Sequence, residues 1–394
     1  MHSFRYLSSL TTVWQQQYAP LRHQAVLDFG LESNEDKKKK RKAIRFSRSI
    51  VYLRCLRNSV LVTVFALSVA CSSNAPAGPH VVKGPLPGQQ IWGEGVSSFL
   101  FGTNDTQSWA TDNVETNPAI QRALKDAHFT LMRTFFFYKS LADHHAITDA
   151  EIEQRIRTVE NSGMICLGVI FDIMNVAFAE HIVRLLGPRC TLYEFGNEPD
   201  YNGISIDDYL RQWNTVVPLL RHINPKAKFI GPAASNDSGN QCHYGLAGRH
   251  CFMQDFLTGV KASGILPDAI SFHWYPCYHD TKASCLDKAS SYQPVTAEVK
   301  GWVRGTLGKD IPVGITEWNY DSENLPPDYG ADFMKQFTTT ALYSMIQAKL
   351  DFANQFDAMN YAGYGGLDMF DMKNNDQPKA QYYAIRDVIN EYRP

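Results

Sequence analysis

The sequence predicts a single α/β domain in which eight strand–helix units close into a barrel. After residue 95, stretches of strand and helix character alternate to the end of the chain. The strand-like stretches are continuously apolar, as in Met164–Phe171, which is typical of parallel strands covered on both faces. Eight such units over about 300 residues match a (β/α)8 barrel of the TIM type. The alternative is an open doubly wound sheet, but no glycine-rich phosphate loop follows the first strand.

Each unit begins with an apolar run and continues into an amphipathic helix. The predicted strands are Val96–Gly102, Thr130–Phe137, Met164–Phe171, Leu192–Gly196, Lys228–Gly231, Ala269–Trp274, Pro312–Thr316 and Phe352–Met359. The predicted helices are Pro118–His128, Asp149–Asn161, Asn175–Leu186, Ile206–Ile223, Met253–Ala262, Val295–Thr306, Asp332–Leu350 and Ala380–Tyr392. Asn117 is placed to cap the first helix. The predicted domain covers residues 91–394.

The residues before the barrel predict an export signal. In residues 51–71, Arg54 and Arg57 precede the apolar run Ser59–Ala70, which is too short to span a bilayer. Residues 1–50 are expected to be a poorly structured extension. Because no Met lies between Met1 and Met132, translation is suspected to start later, for example at Val51.

The end of this signal leaves two alternatives open. Cys71 follows small residues as in a bacterial lipobox, which would make Cys71 a lipidated N-terminus. Leu67 lies one place further from Cys71 than that pattern requires, so simple secretion after cleavage near Ala70 is the alternative. A short monotopic anchor is a third. Residues 72–90 are rich in Pro, Gly and Ala and are interpreted as a linker. The expected location is secreted or envelope-anchored.

The cysteine spacing agrees with export. Cys242 and Cys251 are close in sequence, as are Cys277 and Cys285, and each pair is predicted to form a local disulfide. The alternative is a zinc site that joins these cysteines to nearby histidines, namely His243, His250 and His279. Tight Cys-x-x-Cys spacing is absent. Cys166 and Cys190 lie in apolar runs and are predicted to be buried free thiols.

Composition gives no sign of a nucleic-acid partner. The 394 residues carry a formal net charge of −2, and 44% of them are hydrophobic, which is ordinary for a globular domain. Aromatic residues make up 12% of the chain, which suits either a large core or a site that stacks sugar rings. A monomer is expected, with membrane contact only through a possible lipid anchor.

Two glutamates stand at predicted strand ends. Glu198 follows the fourth strand in the stretch Leu192–Asp200, LYEFGNEPD, where Pro199 cannot continue a sheet ladder. Glu317 follows the seventh strand in Pro312–Tyr320, PVGITEWNY. In a parallel barrel these ends meet at the catalytic face, and a pair of carboxyl groups there is the equipment of glycoside hydrolysis. The alternative for Glu198 is a solvated acid in a strand–helix turn.

On these motifs the chain, from about Val96 to Pro394, resembles the clan A retaining glycoside hydrolases, the 4/7 superfamily of (β/α)8 barrels. Their acid/base glutamate follows strand four and their nucleophile follows strand seven. The resemblance therefore implies Glu198 as general acid/base and Glu317 as nucleophile, with no cofactor and no metal. Within the clan, the compact barrel is nearer to the cellulase-like and β-xylosidase-like families.

The resemblance assigns further site residues. Arg133 matches a strand-two arginine that holds the nucleophile, with Asp172 as an alternative structural partner. His273 and Tyr275 match a His-x-Tyr pattern in which the Tyr contacts the nucleophile, while a hydrogen-bonded core histidine is the alternative for His273. Asn197 would bind the sugar 2-hydroxyl. The family's Trp after strand eight is missing, which leaves Tyr361 and Tyr364 as candidates.

Other aromatic residues and acids near the same barrel end are more ambiguous. Trp109 and Trp318 are candidate substrate contacts. The aromatic residues considered as either sugar platforms or rim packing are Trp109, Tyr138, Trp274, Trp318 and Tyr320. The acids expected to be structural or to contact substrate are Asp200, Asp237, Asp280, Asp321 and Asp368.

The sequence thus predicts a retaining hydrolase of a β-linked oligo- or polysaccharide. A carbohydrate-binding surface lipoprotein without catalysis is the alternative, and a hydrolase acting on another substrate class is a third. The presence of both glutamates together with Asn197 and Arg133 argues against the second reading.

Overall fold

The computed structural model describes residues 81–105, 114–140, 144–235, 251–277, 280–321, 329–359, 367–371 and 374–394. All of them lie in one compact unit, Asn74–Pro394. The predicted lipidation site Cys71, the signal peptide and residues 72–80 of the linker lie outside the described residues, and these assignments stay predictions.

The predicted (β/α)8 barrel is confirmed. A two-stranded hairpin, β1 (Val82–Lys83) and β2 (Gln90–Ile91), precedes it. The barrel strands are β3 (Gly102–Asp105), β4 (Leu131–Phe136), β5 (Ile165–Ile170), β6 (Leu192–Phe195), β7 (Lys228–Ala234), β8 (Ala269–Trp274), β9 (Val313–Trp318) and β10 (Phe352–Gln355). They pair in parallel in chain order, and β10 closes on β3. A short antiparallel pair, β11 (Phe370–Asp371) and β12 (Gln377–Pro378), precedes the last helix.

Helices follow the strands around the barrel. They are α1 (Pro118–Asp126), α2 (Asp149–Asn161), α3 (Val176–Leu186), α4 (Ile206–Ile223), α5 (Phe252–Ser263), α6 (Lys282–Lys288), α7 (Tyr292–Leu307), α8 (Ala331–Gln347) and α9 (Ala380–Tyr392). The Asn117 side chain accepts hydrogen bonds from the first turn of α1, as predicted. Thr148 and Glu151 form a reciprocal capping box at the start of α2.

Side-chain alternation divides each strand between the barrel interior and the helices. In β6, Leu192 belongs to the small apolar cluster inside the barrel, so Glu194, two residues on, faces the same interior. Tyr193 and Phe195 belong to the larger core between the sheet and the helices, and Phe195 packs edge to face on Trp213 of α4. Each strand is therefore buried on both faces, one against the barrel interior and the other against the helices, as is typical of parallel sheets.

The floor of the barrel is closed by the N-terminal hairpin, part of which the sequence analysis assigned to a linker. Leu86 is buried and packs with Phe99, Leu131 and Phe352 in the floor cluster. The Gln89 side chain donates to the Asp351 carbonyl oxygen, just before the eighth barrel strand. Residues 81–90 therefore belong to the barrel and not to a linker.

The first barrel strand also begins later than predicted. Ser98–Leu100 forms a 3-10 turn that is capped by the Ser97 side chain, and the strand starts at Gly102. A Cβ at Gly102 would lie 2.6 Å from the Ala353 carbonyl oxygen and 2.7 Å from that of Leu131. The two neighbouring strands therefore require glycine at this position.

Disulfide bonds agree with export and correct one prediction. Cys277 and Cys285 are bonded as predicted. Cys166 and Cys190 are also bonded to each other, so the prediction of free thiols is wrong. Cys166 lies near the start of β5 and Cys190 lies two residues before β6, and the pairing of these two strands brings the sulfurs together. Cys251 is disulfide-bonded too, to a partner outside the described residues. The zinc alternative fails for these cysteines, whose sulfurs are already used.

Disulfides of this kind are typical of extracellular proteins. Along the described stretches, the helices are all too short or too polar to cross a lipid bilayer.

Candidate active site

The site lies at the carboxyl ends of the barrel strands. It draws Arg133 from β4, Asn197 and Glu198 from the turn after β6, His273 and Tyr275 from the end of β8, and Glu317 from β9. The sequence prediction that these residues come together is supported by direct contacts among them, described below.

A β-bulge orients Glu317. The β8–β9 pairing matches Phe272 with Ile315, but then matches His273 with Glu317, so Thr316 is an extra residue on its strand. An extra residue breaks the alternation and can redirect a side chain. Thr316 and Glu317 both contact barrel-interior groups as a result. Glu317 therefore lies within β9, whereas the sequence had suggested that it follows the strand.

Arg133 is the hub of the site and is fully buried. Its Nε donates to Glu194 Oε2 at 2.6 Å, and its Nη1 donates to Glu317 Oε1 at 2.7 Å. Nη1 also donates to Asn104 Oδ1, and Nη2 donates to Asn197 Oδ1. The guanidinium lies 4.7 Å from the centre of the Phe135 ring. Because the planar guanidinium group donates to four different side chains, these hydrogen bonds hold it in a single orientation.

The alternative partner for Arg133 is excluded. Asp172 instead accepts a hydrogen bond from the backbone N–H of Tyr138. Partial burial raises the pKa of Asp172.

Two donors hold the Glu317 carboxylate. Arg133 binds one oxygen, and the Tyr275 hydroxyl donates to the other at 2.9 Å. Burial, with the two nearby glutamates, raises the pKa of Tyr275 well above its usual value, so the hydroxyl stays a donor. Glu317 is only 7% exposed. Each oxygen of the Glu317 carboxyl group therefore has a donor that fixes its position.

Glu198 is held in an unusual backbone conformation. Its φ is +43°, in the left-handed region that non-glycine residues rarely adopt. The preceding Gly196 also has positive φ. The Glu198 N–H donates to the Ala233 carbonyl oxygen, next to a register shift in β7, and the Glu198 carbonyl accepts from Asn202. Strain of this kind tends to be found at functional sites, where the surroundings hold it.

The environment of Glu198 favours its protonated form. Burial raises the pKa of Glu198 to about 8, Asp200 and Glu194 contribute in the same direction, and Arg133 opposes them. This is the opposite situation from Glu317, which bonds directly to Arg133. The two carboxyl groups therefore have different partners: Glu317 bonds to Arg133 and Tyr275, and Glu198 bonds to His273.

His273 links the two acids. Its Nε2 lies 3.5 Å from Arg133 Nη2, which can only donate, so Nε2 is assigned as the acceptor and Nδ1 carries the hydrogen. Nδ1 lies 2.7 Å from Glu198 Oε1 and 3.5 Å from Glu317 Oε2. Burial lowers the pKa of His273, and Arg133 adds to this against the pull of Glu317. His273 is therefore a buried, neutral donor to Glu198, in contact with both candidate acids.

The three side chains are close enough to be compared with a metal site. One oxygen of Glu198, one nitrogen of His273 and one oxygen of Glu317 lie within 4.8 Å of one another. However, the Glu317 oxygens accept from Arg133 and Tyr275, and His273 Nδ1 carries a hydrogen. A cation would have to sit beside the Arg133 guanidinium, so the donor set does not fit one.

The predicted aromatic platforms are mostly not at the site. Trp318 is 1% exposed and packs edge to face on Tyr292 of α7. Because the bulge directs Glu317 inward, the next side chain points to the helices, and the prediction that Trp318 contacts substrate is wrong. Trp274 and Tyr320 are likewise buried among the helices. Tyr138 is 42% exposed and packs on Phe178. Trp109, Tyr361 and Tyr364 lie outside the described residues.

The candidate acids have structural partners where the model describes them. The backbone N–H and hydroxyl of Ser235 donate to Asp200, Asp280 pairs with Lys288, and Asp368 pairs with Lys379. Asp321 is buried and has an interaction partner of its own. Asp237 lies outside the described residues.

Sequence reasoning missed three site residues. Glu194 and Asn104 are fully buried partners of Arg133. Phe356 directly follows β10, and its ring meets Tyr275 edge to face at 6.4 Å. An acid inside an aromatic strand was a visible signal for Glu194. Asn104 and Phe356 carried none.

Several solved structures that share this fold are named as glycosidases. A glucosidase from Croceicoccus marinus superposes with a TM-score of 0.59 at 16% identity, over 78% of this chain and 69% of that one. A monomeric beta-xylosidase from Caulobacter crescentus gives 0.54 at 13% identity, over 74% and 68%. A family 51 alpha-L-arabinofuranosidase from Bifidobacterium longum gives 0.55 at 14% identity, over 80% and 75%. No family model and no curated protein matches the sequence. At these identities the likeness establishes a shared barrel fold.

Proposed function

We propose that the protein is a retaining glycoside hydrolase that cleaves a β-linked glycan, with Glu317 as nucleophile and Glu198 as general acid/base. The observation that carries this is the pair of carboxyl groups, with one oxygen of each within 4.8 Å of the other, in which Glu317 bonds to Arg133 and burial raises the pKa of Glu198 to about 8. Retaining enzymes space the two groups at about 5–5.5 Å, whereas inverting enzymes need about 6.5–9.5 Å for a water. The glycosidase fold supports the same reaction class.

In the first step, a Glu317 oxygen forms a bond to the anomeric carbon while the glycosidic C–O bond breaks. Glu198 gives its proton to the leaving oxygen. Since His273 Nδ1–H donates to Oε1 of Glu198, the transferable proton belongs on Oε2. When the proton has left, the same hydrogen bond stabilises the new Glu198 carboxylate.

In the second step, the Glu198 carboxylate takes a proton from water, and the water oxygen displaces Glu317 from the anomeric carbon. Two displacements restore the original anomeric configuration. The negative charge on Glu317 is absent while the glycosyl ester exists, which lowers the proton affinity of Glu198 at the stage when it acts as base.

Asn197 and Phe356 are proposed to contact the sugar beside the cleaved bond. Asn197 accepts from Arg133 through Oδ1, which leaves its amide hydrogens for a sugar 2-hydroxyl. Phe356 is partly buried next to Tyr275, where its ring can take the place of the family's Trp. The neighbouring glucosidase and beta-xylosidase make small aryl β-glycosides the first probes to use.

The test begins with hydrolysis of aryl β-D-glucosides, β-D-xylosides and β-linked polysaccharides, with product anomers identified by proton NMR. Glu317→Gln is expected to abolish turnover of every substrate, because the amide cannot form the glycosyl ester. Glu198→Ala is expected to keep slow turnover of substrates with good leaving groups. Added azide should then rescue it and yield a β-glycosyl azide.

Asp280→Asn is a matched control, since it neutralises an acid of the same barrel end that pairs with Lys288 and is expected to keep activity. Full activity of Glu198→Ala on a polysaccharide, or an inverted product, would overturn the proposal.

A further inference from the structure

Glu194 is a buried acid that the reaction scheme above does not use. It lies at 0% exposure on β6, below the two catalytic candidates. Its Oε2 accepts from Arg133 Nε at 2.6 Å, and its Oε1 accepts from the Thr316 hydroxyl at 2.8 Å. Substrate cannot reach a side chain with no exposed surface, so any effect on the reaction must pass through its partners.

Both partners lead to Glu317. Arg133 uses Nε for Glu194 and Nη1 for Glu317, so the guanidinium plane is fixed between the two carboxylates. Thr316 is the extra residue of the bulge that turns Glu317 toward the barrel interior. Glu194 therefore ties down both the cation that binds Glu317 and the backbone that carries it.

The charges of this group are unbalanced. Arg133 contributes one positive charge to two carboxylates, so the three buried groups sum to one negative charge when both acids are ionised. Without Glu194, the Arg133–Glu317 pair would be neutral. A buried net negative charge beside Glu198 disfavours a second negative charge there.

Resting on the proposed function, we infer that Glu194 is a positioning residue that orients Arg133 toward Glu317 and supplies the unbalanced negative charge that keeps the proton on Glu198. The direction agrees with the contribution of Glu194 to the raised pKa of Glu198. The charged and titratable groups around Glu198 are Arg133, Glu194, Asp200, His273, Tyr275 and Glu317. Of these, Asp200 acts in the same direction and Arg133 against it.

The experiment compares Glu194→Gln with Glu194→Asp. Glutamine keeps the shape and can still accept from Arg133, but it removes the charge. We expect the basic limb of the kcat/KM profile to move down by about one pH unit, on the scale of one buried charge at moderate effective dielectric. Aspartate keeps the charge but shortens the arm, so the limb should stay in place while kcat falls by about tenfold from a misplaced Arg133.

A second measurement does not need turnover. Protein labelled with carbon-13 at the glutamate δ-carboxyl is titrated by NMR, and the Glu198 resonance is identified by its loss in Glu198→Gln. The wild-type resonance should titrate at about 8, and the Glu194→Gln resonance at a lower pH. Thr316→Val is the control: it removes the hydroxyl bond to Glu194 without changing the charge, so the titration should not move.

The outcomes separate the two ideas. An unmoved Glu198 titration in a folded Glu194→Gln variant overturns the role of Glu194, whatever the activity. A failure of the wild type to hydrolyse any glycoside overturns the proposed function, while the NMR titration still decides the charge effect.

Discussion

Glu198 should make the folded protein less stable at alkaline pH, and Glu198→Gln should remove that penalty. The folded-state pKa is raised from 4.5 to about 8, so the folded state holds a proton that the unfolded chain has released. The stability linked to this proton is present below the unfolded pKa and is lost as pH rises through the folded pKa. Glutamine mimics the protonated form at every pH.

The magnitude follows from the size of the shift. A difference of about 3.5 pH units corresponds to an upper limit of about 5 kcal/mol at 1.36 kcal/mol per unit. The Glu198 side chain is 22% exposed, and local relaxation further reduces the cost of the charge. We therefore expect Glu198→Gln to be more stable than the wild type by about 2 kcal/mol at pH 9, and equal to it near pH 4.

The assay is urea unfolding of both proteins, with disulfides intact, at pH 4, 6, 8 and 9. A gain of about 2 kcal/mol should also raise Tm by roughly 3 °C at the alkaline end for a domain of about 300 residues. Glu317→Gln is the control: it breaks a charge-assisted bond to buried Arg133, so a loss of stability is expected at neutral pH instead of a gain. A stability difference between Glu198→Gln and the wild type that is constant from pH 4 to pH 9 would refute the raised pKa.

Two further predictions concern Arg133 and the disulfides. Arg133→Lys keeps the charge, but one ammonium group cannot bridge Glu194, Glu317 and Asn197, so kcat/KM is expected to fall by about 10²–10³. The loss of Tm should be smaller than in Arg133→Met, which also removes the charge. Unchanged kinetics would show that Arg133 does not belong to the site. Mapping of non-reduced peptides should recover Cys166 joined to Cys190 and Cys277 joined to Cys285, and is expected to join Cys242 to Cys251. Replacing both Cys166 and Cys190 by Ala should cost roughly 3 kcal/mol of unfolding free energy for a closed loop of this length, and a fully reduced protein from its native compartment would contradict the pairing.

The sequence was sufficient for the barrel because the strand and helix periods alternate regularly along it. α2, α4, α9 and β8 begin and end where the pattern predicts. The Asn197-Glu198-Pro199 turn was also readable, since proline ends a strand. What failed were features decided by contacts between distant segments. The hairpin at residues 82–91 has a linker-like composition, and the packing of Leu86 on the barrel floor and the Gln89–Asp351 hydrogen bond make it part of the fold.

Within the site, the sequence located the acids better than their surroundings. The bulge at Thr316 has no local signature, yet it determines that Glu317 faces the interior and that Trp318 does not. Cys166 and Cys190 looked like core residues because each lies in an apolar run, although the even number of cysteines after Cys71 could have suggested their bond. The role of Glu194 could have been predicted from the sequence, since an acid between Tyr193 and Phe195 on a buried strand requires a buried partner.

The floor hairpin lies at the end of the barrel opposite the candidate active site. Gln89 bonds to Asp351 at the amino-terminal end of β10, so the chain enters the barrel on the face opposite the strand ends that carry Glu198 and Glu317. An attachment made at residue 81 would therefore lie at the floor of the barrel, away from Glu198 and Glu317. Immobilising the protein at that residue is expected to leave any activity at the strand ends intact, including activity on large polymers.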